Sequence, residues 1–351
     1  MLSLEGSAFI GTGLGLIRYL SCQNRKNRCG PRLTIIGDVE CSVIADKIDE
    51  LPSWGDSAFS PNPTSVQGGG SSLNTAFWVH NLCAQCTVTI PQTYSLNSFW
   101  GRVIAETLKS SGISVVSSSR TDLDAGISLC LGGTNTERCF VKYAGGNSKF
   151  KISDFDANIL IPERTHHVHF AGYFNCPGIW GEEIMQFIRT CRQKGVKTIS
   201  LNPQFSQEWD RDIHFILPYI DFFVCNKHEA LTITNQSDVL EAIDVLSDLC
   251  HCVVVTLGIE GALMSRKCID LRPIRVLCKE MTEVPLEDAI GVGDAFCAGF
   301  ISEILSKNLK PESPQVVDAV RFACACGTAA CTVTGGSSFP GIATIRECLI
   351  D

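Results

Sequence analysis

Four short apolar runs, each stopping abruptly at a small or polar residue, constrain this chain more than any other feature of its sequence. Leu33-Thr34-Ile35-Ile36 ends at Gly37-Asp38, Thr198 to Leu201 at Asn202-Pro203, Phe222 to Cys225 at Asn226, and Cys252 to Leu257 at Gly258. Short continuous runs of this kind are what strands buried on both faces show. Between them lie stretches with helical spacing. Glu182 to Lys194 carries Ile184, Phe187, Ile188 and Cys191, and Asp238 to Leu249 carries Val239, Ile243, Val245 and Leu246. Strand and helix in repetition predict a parallel sheet with helices on both faces. In such sheets ligands collect beyond the carboxyl ends of the strands, so Asn226, Gly258 and the glycines after Ile290 are candidates for one crevice. A different pattern runs from Ile127 to Tyr143. There Ile127, Leu129 and Leu131, then Cys139, Val141 and Tyr143, flank Gly132-Gly133-Thr134-Asn135, which predicts a hairpin and a small β element beside the main sheet.

Composition narrows the function. The 351 residues carry 29 Lys+Arg against 37 Asp+Glu, a net charge of −8 with no dense basic block, which argues against nucleic-acid and anionic-membrane partners. Any anion must be held locally. Nineteen cysteines in so long a chain, an odd number, point to free thiols in a reducing, cytoplasmic setting rather than a disulfide scaffold. Most sit among apolar neighbours, as in Phe322-Ala323-Cys324-Ala325-Cys326, where a thiol acts as a small hydrophobe. Cys83-Ala84-Gln85-Cys86 has the spacing of half a zinc site but no second pair to complete it, and His166, His167 and His169 fit a buried strand better than a ligand set. Residues 1–30 are read as an extension outside the fold. Their apolar stretch, Ser7 to Ile17, is too short to span a bilayer, and Gly11, Gly13 and Gly15 lack the preceding strand of a dinucleotide fingerprint. Organelle targeting by this segment stays open.

The segment with most chemistry is Asp288-Ala289-Ile290-Gly291-Val292-Gly293-Asp294-Ala295-Phe296, a glycine loop running into an apolar helix. Unpaired N–H groups and the positive dipole end at such a helix start favour an anion. Asp294 could then accept a proton from an attacking hydroxyl while the Gly291, Val292 and Gly293 amides stabilise the transferred group. Alone, the pattern reads more readily as a helix cap. No Gly-x-x-x-x-Gly-Lys-[Ser/Thr] occurs, which excludes a P-loop kinase.

That segment resembles the C-terminal signature of the PfkB, or ribokinase-like, carbohydrate kinases, Asp-Thr-x-Gly-Ala-Gly-Asp-x-Phe, departing at Ala289 and Val292. Gly68-Gly69-Gly70-Ser71-Ser72-Leu73-Asn74-Thr75-Ala76 resembles the family's Gly-Gly-x-x-x-Asn-x-Ala. Asn97-Ser98-Phe99-Trp100-Gly101, Glu137-Arg138 and Gly145-Gly146-Asn147 fall between the two signatures, similar to further family elements. Asn226-Lys227-His228-Glu229 matches Asn-x-x-Glu, and Thr256-Leu257-Gly258-Ile259-Glu260-Gly261 matches the nucleotide loop Thr-x-Gly-x-x-Gly. The resemblance runs from Leu33 to the C-terminus. It implies a three-layer α/β/α fold over 31–351, a mainly parallel central sheet and a small β lid near 39–68 and 126–146.

The same resemblance implies an ATP-dependent kinase acting on a small sugar, with a nucleoside kinase of the same fold as the alternative and a catalytically silent nucleotide-binding protein as a further one. Asp294 becomes the expected base. Gly69, Gly70, Asn74 and Asp56 are carried over to the acceptor, Asn226, Thr256, Gly258 and Gly261 to ATP, and Glu229 to the Mg²⁺ region. Asp288, Ile290 and Gly336 correspond to a K⁺ site of several members, and a homodimer through the lid is expected as well. The chain departs from the pattern at Ser42, where the family commonly has an acceptor-gripping aspartate. Asp38, Glu40 and Asp46 are candidates to compensate. Ser71 stands where ribokinases often carry Lys, and a nucleobase would need an apolar pocket, for which Tyr173, Phe174 and Trp180 are the candidates.

Overall fold

The computed structural model describes residues 30–95, 97–118, 122–134, 138–204, 212–279 and 286–350. The N-terminal extension up to residue 29 lies outside the described residues, as do Asn135 and Glu137. The described strands are β1 (Arg32–Gly37), β2 (Glu40–Ile48), β3 (Ser65–Gly69), β4 (Thr87–Gln92), β5 (Ser114–Ser117), β6 (Gly126–Gly133), β7 (Arg138–Tyr143), β8 (Thr165–Ala171), β9 (Thr198–Asn202), β10 (Phe222–Asn226), β11 (Cys252–Thr256), β12 (Ala262–Arg266) and β13 (Ile274–Val276). The longer helices are α1 (Ser71–Leu82), α2 (Phe99–Ser111), α3 (Glu182–Gln193), α4 (Lys227–Thr234), α5 (Val239–Leu249), α6 (Val292–Lys307), α7 (Val316–Ala330) and α8 (Ile342–Glu347).

The main sheet has the order β13-β12-β11-β10-β9-β8-β1-β4-β5. It is parallel from β5 to β11, and β12 and β13 add an antiparallel edge. The four apolar runs became β1, β9, β10 and β11, each strand within a residue or two of the expected ends. Successive residues feed opposite cores: Phe223 and Cys225 pack with Ile184, Ala230 and Ile243 of α3, α4 and α5, whereas Phe222 and Val224 pack with Phe300 of α6 and Val320 of α7. A strand covered on both sides must be apolar at every position. The resulting three layers are helix, sheet, helix.

A second sheet, ordered β3-β2-β6-β7, forms the lid. The expected hairpin is β6 and β7, antiparallel with Ile127 opposite Tyr143 and Leu131 opposite Cys139. Pairing across the four strands builds two rows on opposite faces. Gln67, Ser42, Ser128 and Lys142 share one, and Val66, Val43, Leu129 and Val141 the other. The polar row is the inner one: Ser42 and Ser128 are 7% and 1% exposed, against 43% and 60% for Leu129 and Val141. β2 follows β1 after only Asp38 and Val39, and β3 enters α1 through Gly70.

The histidines on β8 are structural. His167 bridges Thr198 Oγ1 and Ser200 Oγ at 2.7 Å each, and His169 Nδ1 meets the same Ser200 hydroxyl at 2.7 Å. Burial pushes the His169 pKa down to about 3 and that of His167 well below its usual value, so both are neutral. The described cysteines are free. No cluster of three metal-ligating side chains occurs among the described residues, and none of their helices is long and apolar enough to cross a membrane.

Candidate active site

The carboxyl ends of β1, β10 and β11 and the start of α6 supply many of the groups that the sequence singled out. Gly291 is the N-cap of α6, with φ 76°. A Cβ there would stand 2.4 Å from Gly336 Cα, so both the backbone turn and the close approach of two loops require glycine. At Gly293 a Cβ would meet nothing within 4 Å. The amide-rich, positive end of α6 therefore has room for an anion beside it.

Asp294 lies in the first turn of α6 and makes no capping bond. Its carboxylate is 6% exposed and accepts from Asn74 Nδ2 at 2.8 Å and Gln204 Nε2 at 3.4 Å. Burial pushes its pKa up to about 6, against the pull of the Asn74 amide and the Lys142 charge. Asn74 arrives on α1, anchored where Ser71 N donates to Asp38 Oδ1 at 3.2 Å and Ser72 N to the Asp38 carbonyl at 3.1 Å. The Asn74 Oδ1 atom is buried without a hydrogen-bond partner among the described residues. It is an acceptor atom beside the Asp294 carboxylate. Gly69 leaves the space that the Ser42 hydroxyl fills, since a Cβ there would lie 2.2 Å from Ser42 Oγ, and Gly70 passes within contact of the Asp38 carbonyl.

Asp38, at the end of β1, is fully buried and also accepts from Asn175 Nδ2 at 3.0 Å. Burial, then the neighbouring Glu40 charge, pushes its pKa up to about 7. Glu40 is buried in turn and pairs with Lys142 of the lid at 3.4 Å. Desolvation works against the lysine's charge, but Glu40 and Asp38 outweigh it and hold the Lys142 pKa above its usual value. Asp56 sits elsewhere in the lid connection, exposed on a turn closed by its N–H to the Ser53 carbonyl, and Asp46 is half-buried on β2.

On the other side, Asn226 and Thr256 are register neighbours at the ends of β10 and β11. Asn226 and Glu229 form a capping box on α4: Glu229 N donates to Asn226 Oδ1 at 2.9 Å and Asn226 N to Glu229 Oε2 at 2.8 Å. The box uses Glu229 Oε2 and leaves Glu229 Oε1 outside it. Burial pushes the Glu229 pKa up to about 7, with the Asp294 charge adding to it. Gly258 faces open space, whereas Gly261 presses against the Val276 carbonyl of β13. Asp288 ties two loops together, accepting from Ile290 N and from Gly335 N at 2.9 Å each. That places Ile290 and Gly336 on adjoining loops, with the Gly336 carbonyl accepting from Trp78 Nε1 at 3.2 Å.

Tyr173, Phe174 and Trp180 pack on one another with ring centroids 5.3–6.0 Å apart, and the first two are buried in the core rather than facing an open pocket. Two groups of the site, Lys142 and Gln204, were not singled out from sequence, whereas Asn175, following the expected end of β8 with Tyr173 and Phe174, was a candidate to touch an acceptor. Of the two, Lys142 alone had a signal in the sequence, since hairpin alternation puts it on the face opposite Val141.

A family model described as pfkB family carbohydrate kinase matches residues 33–341. Among solved structures the fold is similar to a ribokinase from Giardia lamblia, with a TM-score of 0.75 at 18% identity over 90% of this chain and 99% of that one. It is also similar to Arabidopsis thaliana ribokinase complexed with ribose and ATP, at 0.71 and 18% over 91% and 98%. An adenosine kinase from Sinorhizobium meliloti gives 0.73 and 16% over 91% and 99%. The match spans the chain from β1 to the start of α8 and takes in both glycine signatures, the lid and Asp294; the chain belongs to the pfkB family of carbohydrate kinases.

Proposed function

We propose that this protein transfers the γ-phosphate of ATP to a hydroxyl of a small sugar, with Asp294 as general base and the Gly291, Val292 and Gly293 amides as the anion hole. The observation that carries this reading is the Asp294 carboxylate, buried at the amide-rich head of α6 and oriented by Asn74. A sugar hydroxyl is a poor nucleophile near neutral pH, so a base at the point of attack helps as the new O–P bond forms. The hydroxyl proton passes to Asp294 while the bond from Pγ to the bridging oxygen breaks and ADP leaves. Asn74 Oδ1, Asp38 and Glu40 are acceptors for the remaining hydroxyls, and they stand in for the aspartate that Ser42 replaces.

Asn226, Thr256, Gly258 and Gly261 are assigned to ATP, in keeping with the open space at Gly258. Glu229 fits a Mg²⁺ region, because one of its oxygens caps α4 and the other is a hard ligand for the ion or its waters. Bound there, Mg²⁺ supplies positive charge across the phosphates. Asp288, Ile290 and Gly336 offer carboxylate and carbonyl oxygens on two adjoining loops, a donor set suited to K⁺. The outward row Val66, Val43, Leu129 and Val141 is an apolar face that supports a homodimer through the lid, and the free thiols support a reducing, cytoplasmic location.

The tight packing of Tyr173, Phe174 and Trp180 favours a sugar over a nucleoside. A coupled ADP-release assay over sugars, polyols and nucleosides tests this. Turnover on a sugar supports the reading, turnover on nucleosides alone selects the alternative, and ATP binding without turnover on any acceptor refutes both.

A further inference from the structure

The lid carries one cation into the site, and phosphoryl transfer as described above assigns it nothing. Lys142 ends the inner row Gln67, Ser42, Ser128, Lys142, which the strand register builds across the lid. Its ammonium lies 3.4 Å from Glu40 Oε1. Behind Glu40 come Asp38 at the end of β1 and Asp294 at the head of α6, both buried, and beyond Asp294 stands the buried Glu229 of α4. Asn74 and Asn175 donate to these carboxylates but bring no charge. Buried carboxylates that feel one another's charge oppose one another's ionisation, and the Lys142 ammonium, with 39% of its side chain exposed at the edge of the group, offsets part of that.

We propose that Lys142 is a positioning residue for the transfer reaction: from the lid, paired with Glu40, it supplies the positive charge that lets Asp38 and Asp294 be ionised together around the acceptor hydroxyl. The inference rests on Asp294 being the base. It ties the charge state of that base to a strand of the lid, more than 150 residues away in sequence, so that a lid held away from the core weakens proton acceptance as well as acceptor contact.

The test compares the full-length protein with Lys142→Met, which keeps the length and apolar stem of the side chain, and with Lys142→Arg, which keeps the charge. Turnover is followed from pH 5.5 to 9 with ATP, Mg²⁺ and the best acceptor from the screen. In Lys142→Met the acid limb moves up by about one pH unit, giving roughly fivefold lower turnover at pH 6 and less than a twofold loss at pH 8.5; Lys142→Arg stays near the wild-type profile. A second readout needs no turnover. Aspartate carboxyl titrations by ¹³C NMR, identified with Asp38→Asn and Asp294→Asn, shift to higher pH in Lys142→Met. Unmoved titrations overturn the proposal, and so does a loss of turnover that is equal at every pH. If the wild type phosphorylates no acceptor, the kinase reading fails on that result, while the titrations still decide whether Lys142 governs the carboxylates.

Discussion

Asp294→Asn keeps the shape of the side chain, and an oxygen for the Asn74 amide, while removing a charge and a base. Two consequences of opposite sign follow. Loss of a positioned general base typically costs 10²- to 10⁴-fold in rate, or about 3–5 kcal/mol of transition-state stabilisation. Burial raises the Asp294 pKa from 3.8 to about 6, so at neutral pH the folded protein carries an unfavourable charge worth about 3 kcal/mol. The folded value lies above the unfolded one. The penalty is therefore absent below pH 3.8, grows between 3.8 and 6, and is complete above 6. Asp294→Asn lifts it, and at roughly 2–4 °C per kcal/mol for a domain of a few hundred residues the melting temperature rises by several degrees at pH 7.5 but not at pH 3.5. ADP release measures the first effect, calorimetry with ATP confirms that the nucleotide still binds, and scanning calorimetry at the two pH values measures the second. A variant that binds ATP and retains more than a tenth of wild-type turnover refutes Asp294 as the base. One that melts lower than wild type at pH 7.5 refutes the account of its buried charge.

Glu229→Gln keeps an oxygen for the Asn226 N–H, so α4 stays capped and stability holds, while the apparent Mg²⁺ affinity in the turnover assay falls about 10- to 100-fold. Gly291→Ala meets both a left-handed backbone and the Gly336 Cα at 2.4 Å. The conformation alone costs about 1–2 kcal/mol, so the urea midpoint falls clearly, and an unchanged midpoint contradicts the close loop contact. Val141→Lys places a charge at the β7 end of the lid's outer row; the proposed dimer through the lid predicts a shift from dimer to monomer in sedimentation velocity, with the fold unchanged by circular dichroism.

Much of the main sheet was legible because both of its faces are covered. Phe222 and Phe223 belong to different cores, and that requirement writes an unbroken apolar run into the chain. Asp294, Asn74 and Gly291 were legible because each sits in a short local pattern, and the fold joins Asn74 to Asp294 by a hydrogen bond although 220 residues separate them. The lid was legible as a hairpin but not in its orientation. Alternation ordinarily points its apolar side inward; here Leu129 and Val141 face out because the inner face covers a polar site. Lys142 acquires its meaning only through the pairing of β2, β6 and β7, and Gln204 only through where β9 ends. No local pattern encodes those neighbours.

Two of the links between lid and core carry a mechanical consequence. The chain enters the lid through Asp38-Val39 and leaves it through Gly70, and these crossings are fastened together by the Ser71 and Ser72 amides on Asp38. A pivot of the lid and the proposed floor of the acceptor site are the same residues. A change in lid angle is felt as torsion at the atoms that would grip an acceptor, and by linkage an acceptor biases the lid angle by the same free energy. Whatever docks on the outer row and whatever fills the floor inside then report on each other, although the sheet between them keeps them from touching.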